Sequence, residues 1–110
     1  MELFNELQEL TKQLQISLKQ LRKTGTEYAK AYSDYRIALA KELLILKDKG
    51  YAITLIRDIA RGKPEIAKLK FEEISKEAIY KANIESINVI KLQIKIVSKQ
   101  LDKEYYNLQD

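Results

Sequence analysis

The chain has 110 residues, enough for one small domain, and its 20 basic against 16 acidic side chains leave a formal net charge of +4. Hydrophobic residues make up 45% of it, with only 3 Gly and 1 Pro, which favours long helices over a turn-rich β fold. Cysteine and histidine are both absent, so disulfides, thiol chemistry and the common nitrogen and sulfur metal ligands are excluded; no cofactor and no metal site is expected.

The first predicted element is a long helix over residues 2–49. Leu7, Leu14, Leu21, Tyr28 and Tyr35 recur every seven residues, with Leu3, Leu10, Ser17, Thr24, Ala31 and Ala38 as a second column. A seven-residue apolar repeat keeps one stripe of a helix toward a partner over many turns. A third column, Leu18, Gly25, Tyr32 and Leu39, widens that stripe. Large residues beside small ones let a partner helix approach closely and place Tyr rings in the gaps. Gly25 is the weak point, and Thr24 with Glu27 offers a capping box there. Leu21 and Tyr28 nevertheless stay in phase across it, which predicts one continuous helix. Lys47 and Lys49 ahead of Gly50 form the expected stop, cations in the last turn and then a glycine.

The connector is expected to be structured. Thr54 is placed to cap a short helix over residues 54–61, with Leu55, Ile56 and Ile59 turned inward and Gly62 ending it. Pro64 suits the first turn of a second long helix, where its missing N–H costs nothing.

That helix is predicted over residues 64–107. It carries its own heptad ladder, Tyr80, Ile87, Ile94, Leu101 and Leu108, and a core stripe of Ile84, Ile87, Ile90, Ile94 and Val97. A different face holds Ala78, Ala82, Val89, Leu92 and Ile96. A helix apolar on two faces must be covered on both, which predicts a homodimer or higher oligomer with those five residues at its interface. Residues 90–96 also alternate apolar and polar as a half-buried strand does. No second segment offers it a strand to pair with, and the heptad ladder runs straight through it. The expected fold is therefore all-α and a single domain: a long antiparallel helical hairpin, coiled-coil-like, with a short connector helix, assembling into an oligomeric helical bundle.

Lys91, Lys95, Lys99 and Lys103 stand four apart on the second helix. Such a row can track phosphates and give salt-sensitive, sequence-independent nucleic-acid binding. The plainer alternative is a solvated face, or pairing with Glu2, Glu6 or Glu9 of a neighbouring helix. Arg57, Arg61 and Lys63 cluster beside the helix start at Pro64 and form a candidate anion site. Against it, Pro64 removes a donor, Glu65 already supplies negative charge, and Asp58 is placed to pair with either arginine. A helix-turn-helix fits poorly, because Asp58 stands four before Gly62, where that motif needs a small residue.

The tyrosines on the core columns read as packing groups rather than base-stacking platforms. Glu73 and Glu77 lie one turn apart, yet no Glu-x-x-His pattern exists to build a helical di-metal site. With no glycine-rich phosphate loop and no convergent acid pair either, a non-enzymatic protein is expected. The longest apolar run, Leu43 to Leu46, is far short of a membrane span, and the acidic, heptad-phased first residues do not read as a signal peptide. A soluble, cytoplasmic protein is expected, with no membrane partner.

Residues 35–43, 50–62 and 66–69, with Tyr80, Lys81 and Ala82 and the apolar second helix, resemble small helical proteins encoded by phages and prophages of Gram-positive bacteria. The resemblance covers about the last two-thirds of the chain. It implies an accessory protein in the host cytoplasm that binds another protein, as an inhibitor of a host factor, or else serves phage DNA metabolism. It transfers no site residues.

Overall fold

A computed structural model describes residues 2–109. Among the described residues there are three helices and no strand: α1 (Glu2–Asp48), α2 (Ile53–Arg61) and α3 (Pro64–Gln109). The strand alternative for residues 90–96 is thereby removed, and α1 passes through Gly25 without a break. Contacts divide the chain into two compact units. One joins α1 up to Lys23 with α3 from Lys81 onward; the other spans Thr24–Tyr80 and contains α2. In each, α1 and α3 pack against one another as the arms of a helical hairpin.

In the first unit Leu10 of α1 and Ile87, Ile90 and Val97 of α3 are buried, flanked by half-buried Leu3, Leu7, Leu14, Leu21, Ile94 and Leu101. These positions alternate three and four residues apart, the spacing that keeps a helix seam facing its partner. A polar contact crosses the seam: Asn83 Nδ2 donates to the Ser17 carbonyl oxygen at 3.1 Å. The small Ser17 side chain leaves that carbonyl within reach. Such a polar pair in an apolar seam penalises a slip of register, because slipping would strand the amide.

The second unit closes around Leu46, Ile56 and Ala60, with Leu39 and Leu43 packed against them. Tyr35 and Ile66 are also buried. α1 ends as its sequence implies. Gly50 has φ +88°, its N–H donates to Lys47 O at 3.0 Å, and the Tyr51 N–H reaches back to Leu46 O at 3.2 Å. This is the double hydrogen bond of a Schellman stop, and it needs a left-handed residue at that point.

Two expectations for α2 are corrected. Its N-cap is Ala52, in extended conformation and with no side-chain cap, so Thr54 lies inside the first turn and caps nothing. The Ala52 carbonyl already accepts from Leu55 and Ile56, at 2.9 and 3.2 Å, and that starts the helix early. Nor do Leu55 and Ile59 turn inward. A nine-residue helix lying against α1 buries one narrow stripe, here Ile56 and Ala60, and leaves Leu55 and Ile59 exposed.

Gly62 differs from Gly50. Its φ is −80°, ordinary right-handed backbone, and an added Cβ would stand 3.4 Å from the nearest atom, Asp58 O. Gly50→Ala is therefore expected to cost about 1–2 kcal/mol from left-handed strain. Gly62→Ala should leave stability the same or slightly higher. Urea midpoints of the two variants, followed by helix ellipticity, test the contrast; equal losses would contradict it.

Candidate functional site

The seam of the Thr24–Tyr80 unit is unusually polar. Glu42 and Glu73 are buried, and each accepts a hydrogen bond from a half-exposed lysine at 3.0 Å, Glu42 from Lys63 and Glu73 from Lys70. The Lys70 ammonium also lies 4.8 Å from the centre of the Tyr35 ring. Lys76 pairs with Glu27 at 3.6 Å, and the Tyr28 hydroxyl donates to Glu77 at 2.7 Å. The Tyr28 ring sits 5.9 Å from that of Tyr80, tilted by 33°, and meets Tyr32 edge-on. Tyr32 itself is exposed, because its column lies at the rim of the α1 stripe. Every carboxylate named in this cluster is engaged by a lysine or a tyrosine hydroxyl. Among the described residues no three acidic side chains converge on a point that could hold a metal ion.

These bonds predict an alkaline limit to stability. The hydrogen bond to Glu77 pushes the Tyr28 phenol from its ordinary 10.0 up to about 12. Lys70, Lys63 and Lys30 are raised too, by their bonds to Glu73, Glu42 and Asp34. In each case the fold prefers the protonated form. The stabilisation is complete below the unfolded-state values and is lost as pH rises through the folded ones. Urea midpoints should therefore fall between pH 10 and 12. Tyr28→Phe should remove the tyrosine share of that slope, and an unchanged slope in the variant would count against the assignment.

The five residues expected at an oligomer interface lie as follows. Ala78, in the Thr24–Tyr80 unit, is exposed. In the other unit Ala82 is exposed, and Val89, Leu92 and Ile96 are 45%, 58% and 49% exposed. At 100° per residue this stripe stands roughly 140° around α3 from the buried one, so the helix is apolar on two nearly opposite faces. The α1 arm of the same unit adds exposed Phe4, Ile16 and Leu18.

Lys91, Lys95, Lys99 and Lys103 are all exposed, and none has a carboxylate partner among the described residues. The expected alternative of pairing with Glu2, Glu6 or Glu9 is not realised. A four-residue step advances 40° around the helix, so the row winds from beside the buried seam at Lys91 onto the continuation of the exposed apolar stripe at Lys99 and Lys103.

The third candidate is rearranged by the fold. Lys63 is taken by Glu42 and leaves the group. Arg57 and Arg61, one turn apart on α2, instead face Arg36 of α1 across a groove of about 220 Å³, whose remaining lining is Leu39, Ala40 and Leu43. Asp58 pairs with neither arginine among the described residues. The Arg36 guanidinium is 5.8 Å from the Tyr32 ring, which restrains it from one side. Arg36 is invisible as a member of this group until the face of α1 that α2 covers is known. The i, i+4 arginine pair on α2 is the only hint that the sequence carries.

No protein-family model matches the chain, and neither a curated protein nor a solved structure does. No helix among the described residues is long and apolar enough to cross a membrane.

Proposed function

We propose that this chain is a non-catalytic helical interaction protein that associates with a second copy of itself through the outer face of α3 around Val89, Leu92 and Ile96. The supporting observation is that stripe of large aliphatic side chains, about half exposed, at heptad spacing. Full burial of such a side chain is worth 1.5–3 kcal/mol, so covering the exposed half contributes about 1 kcal/mol each. Six of them across a symmetric pair give about 6 kcal/mol, near the low end of the cost of bringing two molecules together. The α1 arm of the same unit also exposes Phe4, Ile16 and Leu18. Self-association is thus expected to depend on concentration. Light scattering coupled to gel filtration should show mass rising with loading, and Leu92→Glu with Ile96→Glu should give a monomer of undiminished helicity. A monomer at every concentration would refute self-association.

In this reading the assembled bundle offers its remaining faces to a host protein, in keeping with the likeness of residues 35–43 and 50–62 to phage-encoded helical proteins. A second function, sequence-independent nucleic-acid binding in phage DNA metabolism, is favoured by one observation: Lys91, Lys95, Lys99 and Lys103 have no acidic partners among the described residues. Titration of labelled single- and double-stranded DNA at two salt concentrations decides it. Binding should weaken steeply with salt and with Lys95→Glu and Lys99→Glu. Indifference to both changes would remove this function.

A further inference from the structure

We propose that the groove between α1 and α2 seats an acidic segment of a partner protein, with carboxylates held by Arg36, Arg57 and Arg61 and an aliphatic side chain on Leu39 and Leu43. Three arginines border one concavity, and among the described residues none of them is paired with a carboxylate. Neighbouring cations repel, and that cost is recovered when an anion bridges them. Guanidinium suits the task, because its planar fork takes a carboxylate through two parallel N–H···O bonds and is weakly hydrated.

Size and lining select among anions. Sites that enclose small molecules usually run to 300–1,000 Å³, whereas about 220 Å³ open on one side holds one or two side chains. The floor of Leu39, Ala40 and Leu43 is aliphatic, which favours a carboxylate flanked by leucine-like residues. A sugar–phosphate backbone gains nothing from such a floor, and no aromatic side chain lines the groove to stack a base. The arginines, rather than the helix start at Pro64, define the site. The proposal rests on the chain being an interaction protein, but not on its self-association, which uses a different face.

The test uses the full chain and a short fluorescein-labelled helical peptide built of glutamate, leucine and alanine. Anisotropy should rise to saturation, and Arg57→Glu with Arg61→Glu should weaken binding roughly tenfold or more, as loss of charge-assisted hydrogen bonds does. Arg36→Ala should weaken it less. A peptide with serine for leucine should bind more weakly than its parent, because the floor is apolar. Leu92→Glu should leave binding unchanged, which separates failure here from failure of self-association. Because all three arginines are exposed, thermal midpoints should be unaltered and certify the fold. Absence of saturable binding, equal binding by the Arg57 and Arg61 variant, or stronger capture of inorganic phosphate or an oligonucleotide through the same arginines would overturn the proposal.

Discussion

Leu46→Ala should lower the stability of the Thr24–Tyr80 unit by about 2–5 kcal/mol, a large share of the roughly 5–15 kcal/mol typical of a small domain. Leu46 is 5% exposed and Ala60, which faces it from α2, is 0% exposed. With Ile56 they form the buried cluster that ties α2 to α1, and half-buried Leu39 and Leu43 pack against it. Truncation removes the transfer energy of three carbons and leaves a cavity that a nine-residue helix closes only by tilting. The reverse change, Ala60→Leu, should cost about 1–3 kcal/mol by overpacking. Combining the two should recover part of both losses, since the added methyl groups enter the vacated space. Urea unfolding followed at the helix band measures all three. Strict additivity in the double variant would show that Leu46 and Ala60 do not share one space.

Heptad spacing made the two long helices and their inner seam legible, because a period of seven admits few other arrangements. The stop at Gly50 was equally legible, since only glycine takes a left-handed position easily after two lysines. The connector was not, for two physical reasons. Backbone carbonyls rather than the Thr54 hydroxyl start α2. A helix with a single neighbour also buries a narrower stripe than its apolar content suggests, so Leu55 and Ile59 stay outside. The pairing of charges was illegible as well. Asp58 can reach an arginine on paper, and Lys63 looks free. Which carboxylate meets which cation depends on how α1 turns about its axis, and that rotation places Glu42 beneath Lys63 and Arg36 beside Arg57 and Arg61. The exposed face of α3 could be read from periodicity alone, because Val89, Leu92 and Ile96 lie too far around the helix to join the seam of Ile87, Ile90, Ile94 and Val97.

Gly25→Leu is expected to destabilise the chain by about 3 kcal/mol, the upper end for overpacking, even though leucine is the better helix former. Gly25 lies inside α1 with no break in the helix, so its value is not backbone freedom. It is space. A Cβ built there stands 3.1 Å from Tyr80 Cε1, 3.6 Å from Cδ1 and 3.7 Å from Cζ. The Tyr80 ring is flanked by Tyr28 at 5.9 Å, and Tyr28 is tethered by its hydroxyl to Glu77. Sideways movement of the ring toward Tyr28 is therefore resisted by a second ring whose own polar end is fixed. Alanine asks for a shift of a few tenths of an ångström and gains about 1 kcal/mol of helix propensity, so Gly25→Ala should come out nearly neutral. Leucine asks for the room of a whole side chain. Gly25→Leu with Tyr80→Ala should recover at least half of the loss, because the truncated ring vacates the space that the new side chain needs. Tyr80→Phe, which keeps the ring, should not rescue. Full stability of Gly25→Leu alone, or equal rescue by alanine and phenylalanine, would show that the helices do not approach closely at this point and that glycine is there by accident.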